Sequence, residues 1–152
     1  MIEFENTIDI AQPVEVVFEF LADLENLPKW NYYVTQVRKT SRGPAGNGAT
    51  YHQVRKTDSQ ELTVHELEPN QLLTVETIPP SQPQLKRRMV FEAINGQTRI
   101  IDRWELDTGH PQFVQALGKS RVQSSVKENL AKLKELLETG RVTLQDGRQV
   151  SL

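Results

Sequence analysis

The sequence predicts an α+β fold in which one curved antiparallel sheet of about seven strands wraps around one long C-terminal helix, with two short helices between strands one and two. Two observations predict it. From about Val34 to Asp107 the chain reads as strand after strand, short runs of alternating apolar character separated by turn residues. A single long amphipathic helix candidate, Pro111 to Thr139, then closes it. A sheet wrapped around one helix can enclose a cavity, so an internal ligand site is expected.

A chain of 152 residues fits one domain, here residues 1–140 followed by a tail, 141–152. That length is enough to bury roughly two thirds of the unfolded surface. Hydrophobic content of 37% and charged content of 25% are ordinary for a globular chain, and the net charge of -2 offers no attraction to nucleic acid or to anionic membranes. The absence of cysteine excludes disulfides, thiolate metal sites and cysteine nucleophiles. The start MIEFENTIDI carries acids where a signal peptide carries a basic region, and no stretch approaches membrane-spanning length, so a cytoplasmic location is expected. No cofactor and no metal is expected. The expected partner is a small hydrophobic ligand, with a homodimer left open and neither nucleic acid nor membrane insertion in view.

Ile2, Phe4, Ile8 and Ile10 alternate with mostly polar residues, the period of a half-buried first strand. Pro13 suits a first helical turn, where its missing N–H is not needed, and Val14, Val17, Phe18 and Leu21 share one helical face. Asp23 to Leu27 forms a second short helix, which Pro28-Lys29-Trp30 should stop. Strand two is Val34 to Thr40. SRGPAGNGA, residues 41–49, is a loop; its glycines lack the Gly-Lys-Ser/Thr ending and following helix of a phosphate cradle. Strands three to six are Thr50 to Thr57, Gln60 to Leu67, Leu72 to Ile78 and Leu85 to Ile94, and strand seven is Gln97 to Asp107.

Asn95-Gly96 is the strongest local signal, because a two-residue turn with positive φ accepts those residues and matches strand twist. With Ile94 opposite Gln97, one face pairs Lys86 with Glu105, Val90 with Ile101 and Glu92 with Arg99, which makes this the solvent side. The single conflict, Arg88 opposite Arg103, would be relieved by Glu76 beside Arg88. The concave face then carries Leu85, Arg87, Met89, Phe91 and Ala93, with Thr98, Ile100, Asp102, Trp104 and Leu106. Arg87 and Asp102 are diagonal neighbours there. A charge facing an apolar interior must be paired, hydrated or neutralised, so they form either an internal salt bridge, with Arg87 packed on Trp104, or a ligand-facing polar pair.

An Asp58-Ser59 turn would pair strands three and four so that Tyr51, Gln53 and Arg55 share the inner face with Leu62, Val64 and Glu66. It would also set His52 opposite His65 outside, where two imidazoles without a third ligand read as surface histidines. His110 reads as part of the start of the long helix. In that helix Val122, Val126, Leu130, Leu133 and Leu137 form the stripe that packs on the sheet, and Ser125 and Asn129 flank it. Phe113, Val114 and Leu117 make a separate apolar patch, and Gly118 marks a kink or local bulge. Gly140 ends the helix, and the tail RVTLQDGRQVSL is either a small Asp-Gly hairpin or disordered.

The run TIDIAQPVEVVFEFLADLENLPKWNYYVTQV, residues 7–37, with Asp23, Asn26 and Trp30 spaced as Asp-x-x-Asn-x-x-x-Trp, resembles the opening of the START-like superfamily, especially its polyketide cyclase/dehydrase branch. The resemblance extends through Leu137 in element order. It implies a helix-grip fold, in which an incomplete antiparallel barrel grips the C-terminal helix around a deep cavity. Relatives bind lipids, plant hormones, polyketides or quinones, and some are aromatase/cyclases or co-chaperone-like. The expected cavity residues are Trp30, Tyr51, Gln53, Arg55, Glu66, Arg87, Met89, Phe91, Asp102, Trp104, Leu117 and Asn129. Binding of a lipid-, polyketide- or quinone-like ligand is the first expectation. The alternative is a polyketide cyclase or dehydratase that moves protons with Asp102, Arg87, Tyr51 or Glu66, and no acid/base constellation is recognisable among these. A third reading is a protein-interaction module.

Overall fold

Asn95 and Gly96 take φ of 51° and 77°, and the tight turn they make joins the two longest strands, β6 (Gln84–Ile94) and β7 (Gln97–Asp107). Their register is the expected one, with Ile94 beside Gln97 and Lys86 beside Glu105. The computed structural model describes residues 1–152. The sheet is completed by β1 (Ile2–Ile10), β2 (Val34–Lys39), β3 (Thr50–Arg55), β4 (Ser59–Glu68) and β5 (Leu72–Thr77), in the spatial order β1-β7-β6-β5-β4-β3-β2. All pairs are antiparallel.

Between β1 and β2 lie α1 (Val14–Ala22) and a 3₁₀ helix (Leu24–Lys29). The 3₁₀ helix runs on through Pro28, where the sequence placed a stop, to Lys29, and Trp30 caps its end. The Asp-Asn-Trp spacing has a mechanical reason. Asp23 accepts from the Glu25 N–H, Asn26 donates to the Phe20 carbonyl at 2.9 Å and ties the two helices together, and Trp30 is buried.

The long helix α2 (Gln112–Thr139) runs unbroken through Gly118 and presents Val126, Leu130, Leu133, Leu136 and Leu137 to the sheet, with Val122 half-buried. Each such leucine removed from water contributes about 1.5–3 kcal/mol. Gly140, at φ 82°, closes the helix by donating to the Leu136 carbonyl. The chain then forms a hairpin of β8 (Arg141–Thr143) and β9 (Gln149–Ser151), whose Val142 and neighbouring Leu144 belong to the same buried hydrophobic cluster as α1, the sheet and α2.

Two strand pairings and one alternation differ from expectation. The β3–β4 turn is centred on Lys56-Thr57, so Tyr51 faces Leu62 and Gln53 faces Gln60. That is a slip of four positions, and because four is even the inner face keeps Tyr51, Gln53, Arg55, Leu62 and Val64. His52 consequently pairs with Glu61 (Nδ1 to Oε1, 2.5 Å) and not with His65. A bulge then inserts His65 between Val64 and Glu66 and reverses the alternation. Glu76 lies beside Lys86, and Thr74 takes the place next to Arg88.

Candidate functional site

Enclosed by the 3₁₀ helix, strands β2–β7 and α2 is a cavity of about 430 Å³, lined by 25 residues of which 15 are hydrophobic. That volume falls within the ordinary range for small-molecule sites. The walls are leucines of α1 and the 3₁₀ helix (Leu21, Leu24, Leu27), residues of the sheet (Leu62, Leu73, Val75, Leu85, Met89, Leu106) and Val122 and Val126 of α2.

Into this apolar surface the sheet projects one charged assembly. Arg87, 7% exposed, donates from Nε and Nη2 to the two carboxylate oxygens of Asp102 at 2.9 and 2.7 Å. Asp102 is fully buried and also accepts from Trp104 Nε1 at 3.2 Å. The guanidinium carbon lies 4.9 Å from the Trp104 ring and 5.4 Å from the Trp30 ring, so the charge sits between two aromatic faces. Phe4 stacks on Trp104 from β1 at 5.6 Å. The salt bridge and the cavity-lining residue, alternatives in the sequence, are one arrangement: Asp102 is the buried anchor, and Arg87 lines the cavity, bonded to it through Nε and Nη2 and not through Nη1.

The remaining polar groups are few and mostly committed. Gln53 donates to Gln60 at 3.0 Å, and Gln60 donates onward to the Gln82 carbonyl at 2.9 Å. Arg55 is held by Asp58 through two bonds of 2.7 Å. Asn129 Oδ1 accepts from Gln145 Nε2 at 3.3 Å. At the mouth the Tyr33 hydroxyl meets Ser125 Oγ at 3.4 Å, bridging the segment before β2 to α2. That Ser125 contact, followed by the Tyr32 hydroxyl, holds the Tyr33 phenol below its usual range. Arg121, exposed on the same face of α2, has no acidic partner.

Of the residues expected around the cavity, Trp30, Gln53, Arg55, Arg87, Met89, Trp104 and Asn129 line it. Five do not. Asp102 lies behind Arg87. Phe91 is buried against Phe18 in an edge-on contact at 5.0 Å. Tyr51 is fully buried and borders a separate groove with Phe18, Lys39 and Leu67; its hydroxyl has no partner, and burial, then Asp23 and Glu25, push its pKa up. Glu66 is corrected to the outside, because the His65 bulge turns it away and brings Leu67 inward. Leu117 is corrected to solvent, 82% exposed, because in the first turns of α2 the buried side is the one carrying Gln115, 5% exposed, and Leu117 lies two residues on, on the opposite side of the helix.

Tyr33, Asn31 and Thr108 at the mouth carried no sequence signal, since loop side chains have no period to reveal their direction. Leu24 and Leu27 were hidden for a related reason: a six-residue 3₁₀ helix is too short for an apolar stripe to register. No three His, Asp or Glu side chains converge as metal ligands, and no helix is long and apolar enough to cross a membrane.

Comparison with known proteins agrees with this geometry. A family model described as polyketide cyclase / dehydrase and lipid transport matches residues 1–138. Proteins described as uncharacterised from Mycobacterium tuberculosis and Mycobacterium bovis are 45% identical over 47 residues, 31% of this chain and 28% of theirs. Among solved structures, the di-domain ARO/CYC BexL of the BE-7585A biosynthetic pathway superposes with a TM-score of 0.74 at 17% identity, over 91% of this chain. This chain spans 47% of BexL. The Aha1 dimer from Colwellia psychrerythraea superposes with a TM-score of 0.69 at 18% identity, covering 92% of this chain and 98% of that one. DynU16, from the dynemicin biosynthetic locus, gives 0.70 at 16% identity over 92% of this chain and 48% of its own. At these identities the structures share the helix-grip fold.

Proposed function

The chain belongs to the polyketide cyclase/dehydrase and lipid-transport family, and from that premise we propose that it binds a small hydrophobic or amphipathic molecule, lipid-, polyketide- or quinone-like, in the cavity between sheet and α2. The observation that carries this reading is the cavity itself, about 430 Å³ of mainly apolar surface with a few oriented polar groups. Burial of a ligand's apolar surface there supplies affinity without any reaction. A cytoplasmic location is part of the proposal, as is a homodimer, by analogy with the dimeric neighbour. Native mass spectrometry of the protein purified from its own source tests it: a co-purified apolar molecule is expected, and the same spectra count the copies of the chain. A cavity that stays empty, and that takes up neither lipids nor quinones in a screen, overturns the reading.

One observation favours a second reading, a polyketide cyclase or dehydratase. Arg87 lines the cavity with its guanidinium between two tryptophan rings and its Nη1 without a protein hydrogen bond, available to stabilise negative charge developing on a substrate carbonyl during aldol closure. Asp102 supports that role by holding the guanidinium; with three donors on its two oxygens it is not a free base. Turnover of a poly-keto substrate that is lost in Arg87→Met while apolar ligands still bind would establish this reading over simple carriage.

A further inference from the structure

We propose that the C-terminal hairpin sets the hydrogen-bonding polarity of the cavity through Gln145, so that the bound molecule presents an acceptor, a carbonyl or ether oxygen, to Asn129. The inference rests on the cavity-binding reading above and names the chemistry of its ligand at one point. Residues 141–152 lie beyond the family match, which ends at residue 138.

Asn129 is 4% exposed and lines the cavity. Its carboxamide oxygen accepts from Gln145 Nε2 at 3.3 Å, the one hydrogen bond its side chain makes, and its Nδ2 donates to no protein group. An amide whose oxygen is held on one side turns its two N–H donors to the other, and donors in an apolar wall bind an acceptor and reject a second donor. Gln145 can impose this because the hairpin turn that carries it is anchored on both sides. Val142 and Leu144 are buried before it. After it, Asp146 bonds Lys56 at 2.9 Å, and Arg148 donates to the carbonyls of Tyr32 at 3.0 Å and Val34 at 3.4 Å. The hairpin therefore grips the β3–β4 turn and the segment leading into β2, and reaches Asn129 through the exposed Gln145.

The test uses the full chain and two tricyclic probes of similar shape, fluorenone, which only accepts, and carbazole, which only donates, titrated by calorimetry. Wild type should prefer fluorenone. In Gln145→Glu the carboxylate only accepts, so Asn129 must turn its N–H donors toward it and show the cavity an oxygen. The fluorenone-to-carbazole affinity ratio should then fall about tenfold, the value of one neutral hydrogen bond exchanged for a mismatch. Asn129→Asp makes the same inversion without touching the hairpin and should lower the ratio likewise, even if Gln145→Glu loosens the tail. A ratio unchanged in both variants, or a wild type that prefers carbazole, overturns the inference alone. Failure of the wild type to bind either probe overturns the cavity-binding reading and this inference with it.

Discussion

Arg87 and Asp102, diagonal neighbours across β6 and β7, form a two-bond ion pair at 2.9 and 2.7 Å, with the carboxylate wholly out of water and the guanidinium at the edge of the cavity. Leaving one member of such a pair behind is costly, because the survivor keeps its desolvation without its counter-charge. In Asp102→Asn the amide would also point N–H donors at Arg87 or at Trp104 Nε1. We expect a loss of about 3–5 kcal/mol in urea unfolding. The double variant Arg87→Met/Asp102→Leu should recover most of it, since an apolar pair of similar volume is often neutral or better, while changing the cavity's ligand preference. A double variant as unstable as the single one would show that the two tryptophans, not the ion pair, fix this wall.

That pair was legible in the sequence because Asn95-Gly96 leaves no freedom in the β6–β7 register: once Ile94 meets Gln97, Arg87 and Asp102 must be inward diagonal neighbours. Asp58-Ser59 gave no such certainty. The real turn, two residues earlier, kept the face of Tyr51 and Gln53 only because the slip was even. The bulge at His65 had no signal at all, and it inverted Glu66. Leu117 shows a different limit. It stands five residues before Val122, off the stripe that packs on the sheet, and because α2 runs unbroken through Gly118 nothing returns it to that face. The hairpin was one of two readings of the tail, and its contact with Asn129 pairs residues 16 apart across a turn, beyond any local pattern.

Tyr51 is fully buried and its hydroxyl bonds to nothing. Removing an unsatisfied buried polar atom while keeping the ring relieves a desolvation penalty at no cost in packing. Tyr51→Phe should therefore raise stability by about 1 kcal/mol, seen as a higher urea midpoint at unchanged slope. A lower midpoint would mean that the hydroxyl has a partner in solution, such as a held water.

Two leucines of α2 make a paired test of which side of it is covered. Leu133 is fully buried and Leu117 is 82% exposed. Leu133→Ala should cost about 2–5 kcal/mol through lost burial and a residual void. Leu117→Ala should change stability by no more than about 0.5 kcal/mol, as surface substitutions do. Comparable losses at both sites would mean that the side of α2 bearing Leu117 is covered in solution, against its 82% exposure.

The hairpin's grip should be sensitive to acid. Asp146 is held down from 3.8 to about 2, chiefly by the hydrogen bond from Lys56, with the Arg148 backbone N–H and charge adding to it. A carboxyl that is more acidic folded than unfolded binds fewer protons in the native state, so its contribution is fully present above the unfolded value near 4 and is lost as pH falls toward 2. Other depressed carboxyls, Asp9, Asp58, Asp107 and Glu138, titrate in the same direction, so the informative quantity is the difference between wild type and Asp146→Asn. Hydrogen exchange at the hairpin amides should show wild type better protected at about pH 6, with the advantage shrinking between about pH 4 and 2. A difference that stays flat over that interval would mean that Val142 and Leu144 alone hold the hairpin down, and that the Lys56 contact forms without constraining it.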